Sequence, residues 1–253
     1  MSTLEEYVYG INTVQEMLSA HPEEVLELLL ARDRRDPRLK RLLDMADTRG
    51  IKVHPRPTEV LSRLAGNDHH QGLVAVVRGF KYTTFEELVA QLSGVERPLV
   101  VLLDGVQDPQ NLGALIRSAH ILGAQGVIIP QDRAAGVTPT ARKSSAGAVV
   151  HVPVVQVVNL ARTMDALFEK HGLWMVGLDQ DAPSDLSALD LTVPVGLVIG
   201  GEGRGLRPLT QKRCQLMGRI PSLAAAGGVD SLNASAAGAV AMYEVLRQRR
   251  ALV

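Results

Sequence analysis

The chain has 253 residues, 46% of them hydrophobic, which is enough to bury the core of one large domain or of two smaller ones. Because 27 Lys and Arg residues balance 27 Asp and Glu residues, a polyanionic partner has to be bound by a local basic patch and not by the net charge. A single cysteine and scattered histidines exclude an intramolecular disulfide and a zinc site, and no apolar run reaches about 18 residues, so we expect a cytoplasmic protein.

The first 77 residues predict a small α/β domain in which helical and strand patterns alternate. Pro37 stands at the start of one helical pattern and Gly50 follows its end, which are the usual places of these residues at helix boundaries. The predicted segments are a helix at 10–18, a strand at 25–31, a helix at 37–49, further segments at 51–54 and 58–64, and a strand at 73–77.

The charges in this domain are unevenly distributed. The first thirty residues contain six acids and no Lys or Arg, whereas residues 31–63, here named the basic segment, contain ten Lys or Arg and five acids. Such a density suits a surface that follows RNA phosphates, although a solvated face explains it as well. We take Arg34, Arg35 and Arg38 as candidate RNA contacts.

Residues 78–98 predict a linker that contains one short helical pattern at 85–92. From residue 99 onward, apolar strands alternate with helices, which predicts a parallel sheet covered on both faces and a ligand site at the carboxyl ends of its strands. The predicted strands are 99–103, 127–129, 152–155, 173–178, 195–199 and 216–220, and the predicted helices are 112–122, 139–146, 160–171, 206–214 and 233–249.

Three of these strand ends carry unusual residues. After the first strand, Asn111 stands where it can cap a helix, and Arg117 places a cation on an otherwise apolar helix face. The fifth strand runs into a glycine-rich stretch whose one carboxylate is Glu202. Ser231 and Asn233 open the last helix, which also begins with small residues at 234–241 that we expect to form a dimer surface.

Taken together, and in this order over most of residues 99–249, the three blocks resemble the motifs of the SpoU (TrmH) class of SPOUT RNA 2′-O-ribose methyltransferases. The amino-terminal domain and the block at 104–109 are most similar to class members that methylate a guanosine of 23S rRNA. The resemblance implies a knotted (trefoil) α/β methyltransferase domain with a parallel sheet at 99–253, a linker at 78–98 and a small L30e-like α/β RNA-binding domain at 1–77. It also implies S-adenosyl-L-methionine as cofactor, ribosomal RNA as partner, and a homodimer with the active site at its interface.

The resemblance assigns roles to residues by their position in the motifs. The catalytic residues are Asn111, Arg117, Glu202, Ser231 and Asn233, and Asn111 and Glu202 are expected to orient Arg117. The cofactor-binding residues are Leu178, Gly200, Gly201, Ile220, Ser231 and Leu232. We add Arg142 and Lys143 to the candidate RNA contacts and assign no residue to a metal. The loop 222–230 is longer than in similar proteins, with Gly228 and Asp230 where serines are expected.

Methyl transfer to a ribose hydroxyl requires that the nucleophilic oxygen lose its proton. An arginine with a pKa above about 12 is a poor free base, so we favour Arg117 as a clamp on the phosphate of the target nucleotide. Arg117 as the base itself is the alternative. Three other functions fit the sequence less well: methylation of a tRNA ribose, methylation of a base, and a non-catalytic role in RNA binding or ribosome assembly.

Overall fold

The structure is a computed structural model that describes residues 5–32, 36–223 and 231–252. Arg34 and Arg35 lie outside the described residues, as do Gly228, Asp230 and most of the loop at 222–230. The chain forms two sheets, one of four strands and one of seven.

The amino-terminal domain is built on the four-stranded sheet, whose order is β1-β4-β2-β3. Its strands are β1 (Glu5–Tyr9), β2 (Val25–Ala31), β3 (Lys52–Arg56) and β4 (Leu73–Arg78), and its helices are α1 (Ile11–Ala20), α2 (Pro37–Thr48) and α3 (Thr58–Ala65). The successive residues Leu28 and Leu29 of β2 enter two different apolar cores, which shows that both faces of the sheet are covered. The domain has the α/β architecture that its sequence predicts.

The segment predicted as a linker contains α4 (Phe85–Leu92), with the bounds that its helical pattern predicts. Thr84 and Glu87 form a capping box at its start: the Glu87 amide donates to the Thr84 hydroxyl at 3.2 Å, and the Thr84 amide donates to the Glu87 carboxylate at 2.8 Å. Leu88 and Leu92 are buried in a core of the seven-stranded sheet. This segment therefore packs against the second domain as well as connecting to it.

The second domain is built on the seven-stranded sheet, whose order is β7-β6-β5-β10-β8-β11-β9. Its strands are β5 (Leu99–Asp104), β6 (Gly126–Pro130), β7 (Val154–Val157), β8 (Trp174–Leu178), β9 (Ser184–Asp185), β10 (Val195–Gly200) and β11 (Leu216–Arg219). Its helices besides α4 are α5 (Pro109–Ile121), α6 (Pro139–Ser144), α7 (Leu160–His171), α8 (Pro208–Lys212) and α9 (Ala234–Arg250). Each strand pair is parallel, which confirms the predicted parallel sheet. Residues of α5 and α9 belong to the core on one face, and residues of α4 and α7 to the core on the other.

The small residues at the start of α9 belong to the first of these cores. Ala241 is fully buried, and a Cβ atom on Gly238 would lie 2.3 Å from Cδ2 of Leu115 on α5 and 2.8 Å from Cδ1 of Ile199 on β10. The prediction that the strip at 234–241 faces a second copy of the chain is therefore wrong for these two residues, because α5 and β10 already cover them.

The two domains are joined by residues of α6. Arg142 is 1% exposed, and its guanidinium lies 3.2 Å from the carboxylate of Glu6 on β1 and 5.2 Å from the ring centroid of Phe80. The ammonium of Lys143 donates to the carbonyl oxygen of His69 at 2.9 Å. With the two domains packed in this way, the interpretation of Arg142 as an RNA contact is wrong, because its charge is buried between them. Lys143 is only half-buried and its hydrogen bond to His69 is exposed, so its role as an RNA contact stays a prediction.

Candidate active site

The carboxyl ends of β5 and β10 lie side by side in the middle of the large sheet, with Gly200 paired to Asp104. The amide of Gly201 donates to the Asp104 carbonyl oxygen at 3.1 Å, and a Cβ atom on Gly201 would lie 2.3 Å from the carbonyl oxygen of Gly105. Only glycine fits this approach of two backbones. The stretch 200–205, here named the glycine loop, then returns on itself, since the Gly205 amide donates to the Gly201 carbonyl oxygen at 3.2 Å.

A buried carboxylate fixes the far end of the glycine loop. Asp104 is 2% exposed, and its two oxygens accept from the backbone amide of Arg207 at 2.8 Å and from its Nε at 2.5 Å. The second guanidinium nitrogen, Nη2, completes an ion pair with the same carboxylate. Asp104 therefore holds both the start and the end of the loop that carries Glu202. Sequence reasoning missed this pair, although an acid at the end of an apolar strand was a signal for it.

Asn111 and Glu202 meet across the strand ends. The Asn111 side-chain amide donates to a Glu202 carboxylate oxygen at 2.5 Å, which joins the first and second sequence blocks directly. Asn111 is not the helix cap that the sequence suggests, because Asp108 caps α5 by accepting from the Gln110 amide at 2.9 Å. The Asn111 side chain is thereby left for Glu202.

Arg117 lies away from this pair. Its side chain is exposed and forms no hydrogen bond or ion pair with any residue that the structure describes. At 100° per residue, the six positions from Asn111 turn Arg117 about 120° away around the helix axis. Within one chain, the expectation that Asn111 and Glu202 orient Arg117 is therefore not met, and the interpretation of Arg117 as a cation on an apolar face is wrong, since it faces solvent.

The third block lies at the exposed start of α9. Ser231, Leu232 and Asn233 are exposed, and the Asn233 side chain caps the helix by accepting from the Ser235 amide at 2.8 Å. It also accepts from the Ser235 hydroxyl at 2.6 Å. The residues that connect this block to β11 lie partly outside the described part of the chain.

The cofactor candidates from three neighbouring strands come together at one edge of the sheet. Gly200 ends β10, Leu178 ends the adjacent β8, and Ile220 follows β11, whose Gly218 pairs with Leu178. The Asp179 amide donates to the Gly218 carbonyl oxygen at 3.2 Å and extends this pairing beyond the strand end. The side chains of Leu178 and Ile220 are half-buried, so they offer apolar surface beside a glycine backbone, an arrangement that suits a cofactor with an apolar ring system.

The single cysteine is not suited to nucleophilic chemistry. Burial raises the pKa of the Cys214 thiol to about 12, which keeps it protonated at neutral pH and unreactive as a nucleophile. Over the described ranges, no three His, Cys, Asp or Glu side chains are grouped closely enough to hold a metal ion. No helix in those same ranges has both the length and the apolar character to cross a membrane.

Two family models match the chain. Residues 98–243 match the SpoU rRNA Methylase family, and residues 7–83 match the domain described as RNA 2′-O ribose methyltransferase substrate binding. The chain is 43% identical over 250 residues to the 23S rRNA (guanosine-2′-O-)-methyltransferase RlmB of Pseudomonas aeruginosa, covering 98% of each chain. It is 42% identical over 245 residues to that of Coxiella burnetii, covering 96% of each chain.

The solved structures give the same likeness. The chain resembles the SpoU methyltransferase AviRb from Streptomyces viridochromogenes, crystallised in complex with AdoMet, with a TM-score of 0.80 and 28% sequence identity. The match covers 98% of this chain and 91% of AviRb, so it includes both domains.

Proposed function

The chain belongs to the SpoU rRNA methylase family, and we infer that it methylates the ribose 2′-oxygen of a guanosine in 23S rRNA with S-adenosyl-L-methionine as methyl donor. The observation that carries this inference is the match, over nearly the whole of both chains, to relatives with that named activity. The Asn111–Glu202 hydrogen bond supports it, because it joins two of the sequence blocks at the strand ends where α/β sheets bind ligands.

The cofactor fits the edge formed by β10, β8 and β11. We assign its binding to Leu178, Gly200, Gly201, Ile220 and Leu232, with Ser231 beside them. When bound there, S-adenosyl-L-methionine supplies the methyl group that the ribose oxygen accepts. Gly200 and Gly201 contribute backbone groups and no side chain, and the half-buried Leu178 and Ile220 exclude water from the pocket.

The chain's own residues then have to bind the ribose and help its 2′-hydroxyl to lose a proton. The Asn111–Glu202 pair, held by the Asp104–Arg207 contact, orients groups on the nucleotide at the strand ends. Ser231 and Asn233 lie at the start of α9, where free amides favour an acceptor atom of the ribose or the cofactor. Arg117 clamps the phosphate of the target nucleotide and lowers the pKa of the 2′-hydroxyl, and the proton of that hydroxyl passes to the clamped phosphate.

Within one chain, Arg117 lies away from the Asn111–Glu202 pair. We propose that a homodimer brings it to the active site of the partner subunit. Arg117 shares the exposed side of α5 with Ile121, which is 71% exposed, and the adjoining α9 exposes Val240 and Tyr243. Exposed apolar side chains grouped on two packed helices are typical of an interface, and a twofold interface uses the same face of both copies.

We predict that the chain sediments as a dimer and that Ile121→Glu shifts it to a monomer with little activity, because the new carboxylate would be buried at the interface. Analytical ultracentrifugation at the assay concentration measures this. Leu26→Glu, which alters an exposed leucine of the amino-terminal domain, is the matched control and should stay dimeric. A fully active wild-type monomer would contradict the proposed dimer.

We propose that the amino-terminal domain binds the RNA through its basic segment. The basic side chains of this segment that the structure describes are all exposed, and they lie at the end of β2, on α2 and its end, on the edge strand β3, and on α3: Arg32, Arg38, Lys40, Arg41, Arg49, Lys52, Arg56 and Arg63. Arg38 is bound to Asp36, with Nη2 at 2.7 Å from the carboxylate, so part of its charge is neutralised.

We predict that Lys40→Gln, Arg41→Gln and Arg56→Gln together weaken RNA binding and reduce its salt slope by about 0.7–0.9 for each RNA phosphate that the variant no longer binds. Filter binding of a 23S rRNA fragment at several salt concentrations measures both quantities. The exposed Arg97, which lies just before β5, gives the control variant Arg97→Gln. An unchanged affinity and slope in the triple variant would show that the basic segment is only a solvated face.

The function is tested by mapping 2′-O-methyl groups on ribosomal and transfer RNA from a strain that lacks this protein. One guanosine of 23S rRNA should lose its methyl group and regain it when the purified protein and S-adenosyl-L-methionine are added. Loss of a tRNA modification would favour the tRNA ribose instead. A complete modification pattern would favour a non-catalytic role. The trefoil knot and the boundaries at 77/78 and 98/99 belong to the same proposal.

A further inference from the structure

A cavity of about 310 Å³ opens next to the glycine loop on the side away from the cofactor candidates. It is lined by Pro130 at the end of β6, by residues that follow β7, by the start of α7, and by Arg207 and Leu209. In the order of the sheet, β6 and β7 lie on one side of the β5–β10 pair, whereas β8 and β11 lie on the other. The cavity is thus separate from the cofactor edge, and it is lined by Arg207, which lies two residues beyond the end of the glycine loop.

Arg207 is a preorganised cation at the rim of this cavity. Its Nε donates to the buried Asp104 carboxylate at 2.5 Å, while 43% of the side chain remains exposed. A guanidinium carries five N–H donors, so the group can bind Asp104 and a second anion at once. Because Asp104 already fixes its orientation, binding an anion costs little further loss of side-chain freedom.

Arg133 supplies a second cation on the same cavity. Its backbone has a φ angle of 58°, a left-handed conformation that residues other than Gly, Asn and Asp seldom adopt. The side chain is exposed and has no hydrogen-bond or ion-pair partner in the described part of the chain. Backbone strain of this kind tends to be found at functional sites.

The remaining lining combines apolar surface with a helix start. Val158 and Leu209 are 78% and 55% exposed, unusual values for apolar residues beside a cavity. Asn159 caps α7 by accepting from the Arg162 amide at 3.0 Å, and Asn159, Leu160 and Ala161 at the start of this helix line the cavity. Among the described lining residues Asp132 is the one acid, and because Asp104 neutralises part of the Arg207 charge, Arg133 supplies the cation that has no partner in the described part of the chain.

We propose that this cavity binds a phosphodiester of the substrate RNA next to the methylated nucleotide, with Arg133 and Arg207 on the phosphate and Leu209 and Val158 against the sugar or base. The proposal rests on the function proposed above. A phosphate held by Arg207 lies beside the loop that carries Glu202, so this contact fixes the RNA strand relative to the site of methyl transfer.

The test compares wild type with Arg133→Gly, because glycine accepts a φ angle of 58° and the change therefore removes the guanidinium without straining the backbone. Binding of a 23S rRNA fragment is measured over a range of salt concentrations, together with cofactor affinity, melting temperature and methyl transfer. Arg133→Gly should weaken RNA binding several-fold and reduce the salt slope by about 0.7. Cofactor affinity and melting temperature should stay at wild-type values.

The matched control is Arg97→Gln, an exposed arginine at the amino-terminal edge of the same sheet. RNA affinity and salt slope equal to wild type in Arg133→Gly would overturn the proposal, and so would an equal loss in Arg97→Gln, which would indicate a general charge effect. If wild type transferred no methyl group while Arg133→Gly still weakened binding, the proposed function would fail and the RNA site would stand.

Discussion

A 23S rRNA fragment with a 2′-deoxyribose at the target guanosine will bind this protein and accept no methyl group. The substitution removes the nucleophilic oxygen but keeps the phosphates, the base edges and therefore most of the affinity. Transfer of labelled methyl groups from S-adenosyl-L-methionine and a parallel binding titration measure the two effects separately. Methylation should fall to background while the dissociation constant changes little.

A fragment with the 2′-deoxyribose at a neighbouring nucleotide is the matched control, and it should be methylated at close to the normal rate. Methyl groups appearing on the target deoxyguanosine at a comparable rate would mean that the acceptor is on the base. The ribose assignment would then be replaced by base methylation, the alternative that the sequence alone leaves available.

Arg117→Ala should lower turnover by about a hundred-fold or more, the usual effect of removing a group that assists proton transfer. Because the Arg117 side chain is exposed and makes no bond to another described residue, its truncation should not disturb the fold of α5. The melting temperature and the cofactor affinity are therefore expected to stay near those of wild type, which isolates the effect on the reaction.

Two further variants define what Arg117 does. Arg117→Lys keeps a positive charge for the phosphate but loses the planar guanidinium. If Arg117 clamps the phosphate, Arg117→Lys should keep part of the activity, and RNA binding should be weakened in both Arg117→Lys and Arg117→Ala. Arg97→Ala, which removes another exposed arginine, should have little effect. Turnover of Arg117→Ala within a few-fold of wild type would remove Arg117 from the mechanism.

The sequence predicted those elements whose pattern is local. The bounds of β2, α4 and α7 match the predictions, because each has a complete apolar pattern and clear boundary residues. β1 was missed because only Val8 and Tyr9 of its five residues are buried and its partner β4 is distant in the sequence. β9 has two residues and exists through its pairing with β11, which no local pattern encodes.

The residues of the candidate site could also be predicted only in part from local patterns. The motif blocks identified Asn111 and Glu202, but their direct contact depends on how the two strand ends meet. The position of Asp104 at the end of an apolar strand was a signal that it has a partner, but Arg207 stands 103 positions away, so the sequence does not identify that partner. Arg142 was assigned to RNA binding because it is a basic residue in a helix with polar neighbours. The amino-terminal domain packs against this helix and buries Arg142, and this contact cannot be seen in the local sequence.

The order of the strands affects how the domain can be made on the ribosome. β5 has β6 on one side, which follows it closely in the chain, but its other neighbour is β10, with Leu99 paired to Val195. While the chain grows, β5 therefore keeps an unpaired apolar edge until most of the domain has been synthesised. Such late pairing slows folding and favours association between unfinished chains. Nascent copies of this protein should need a chaperone more than their modest size suggests.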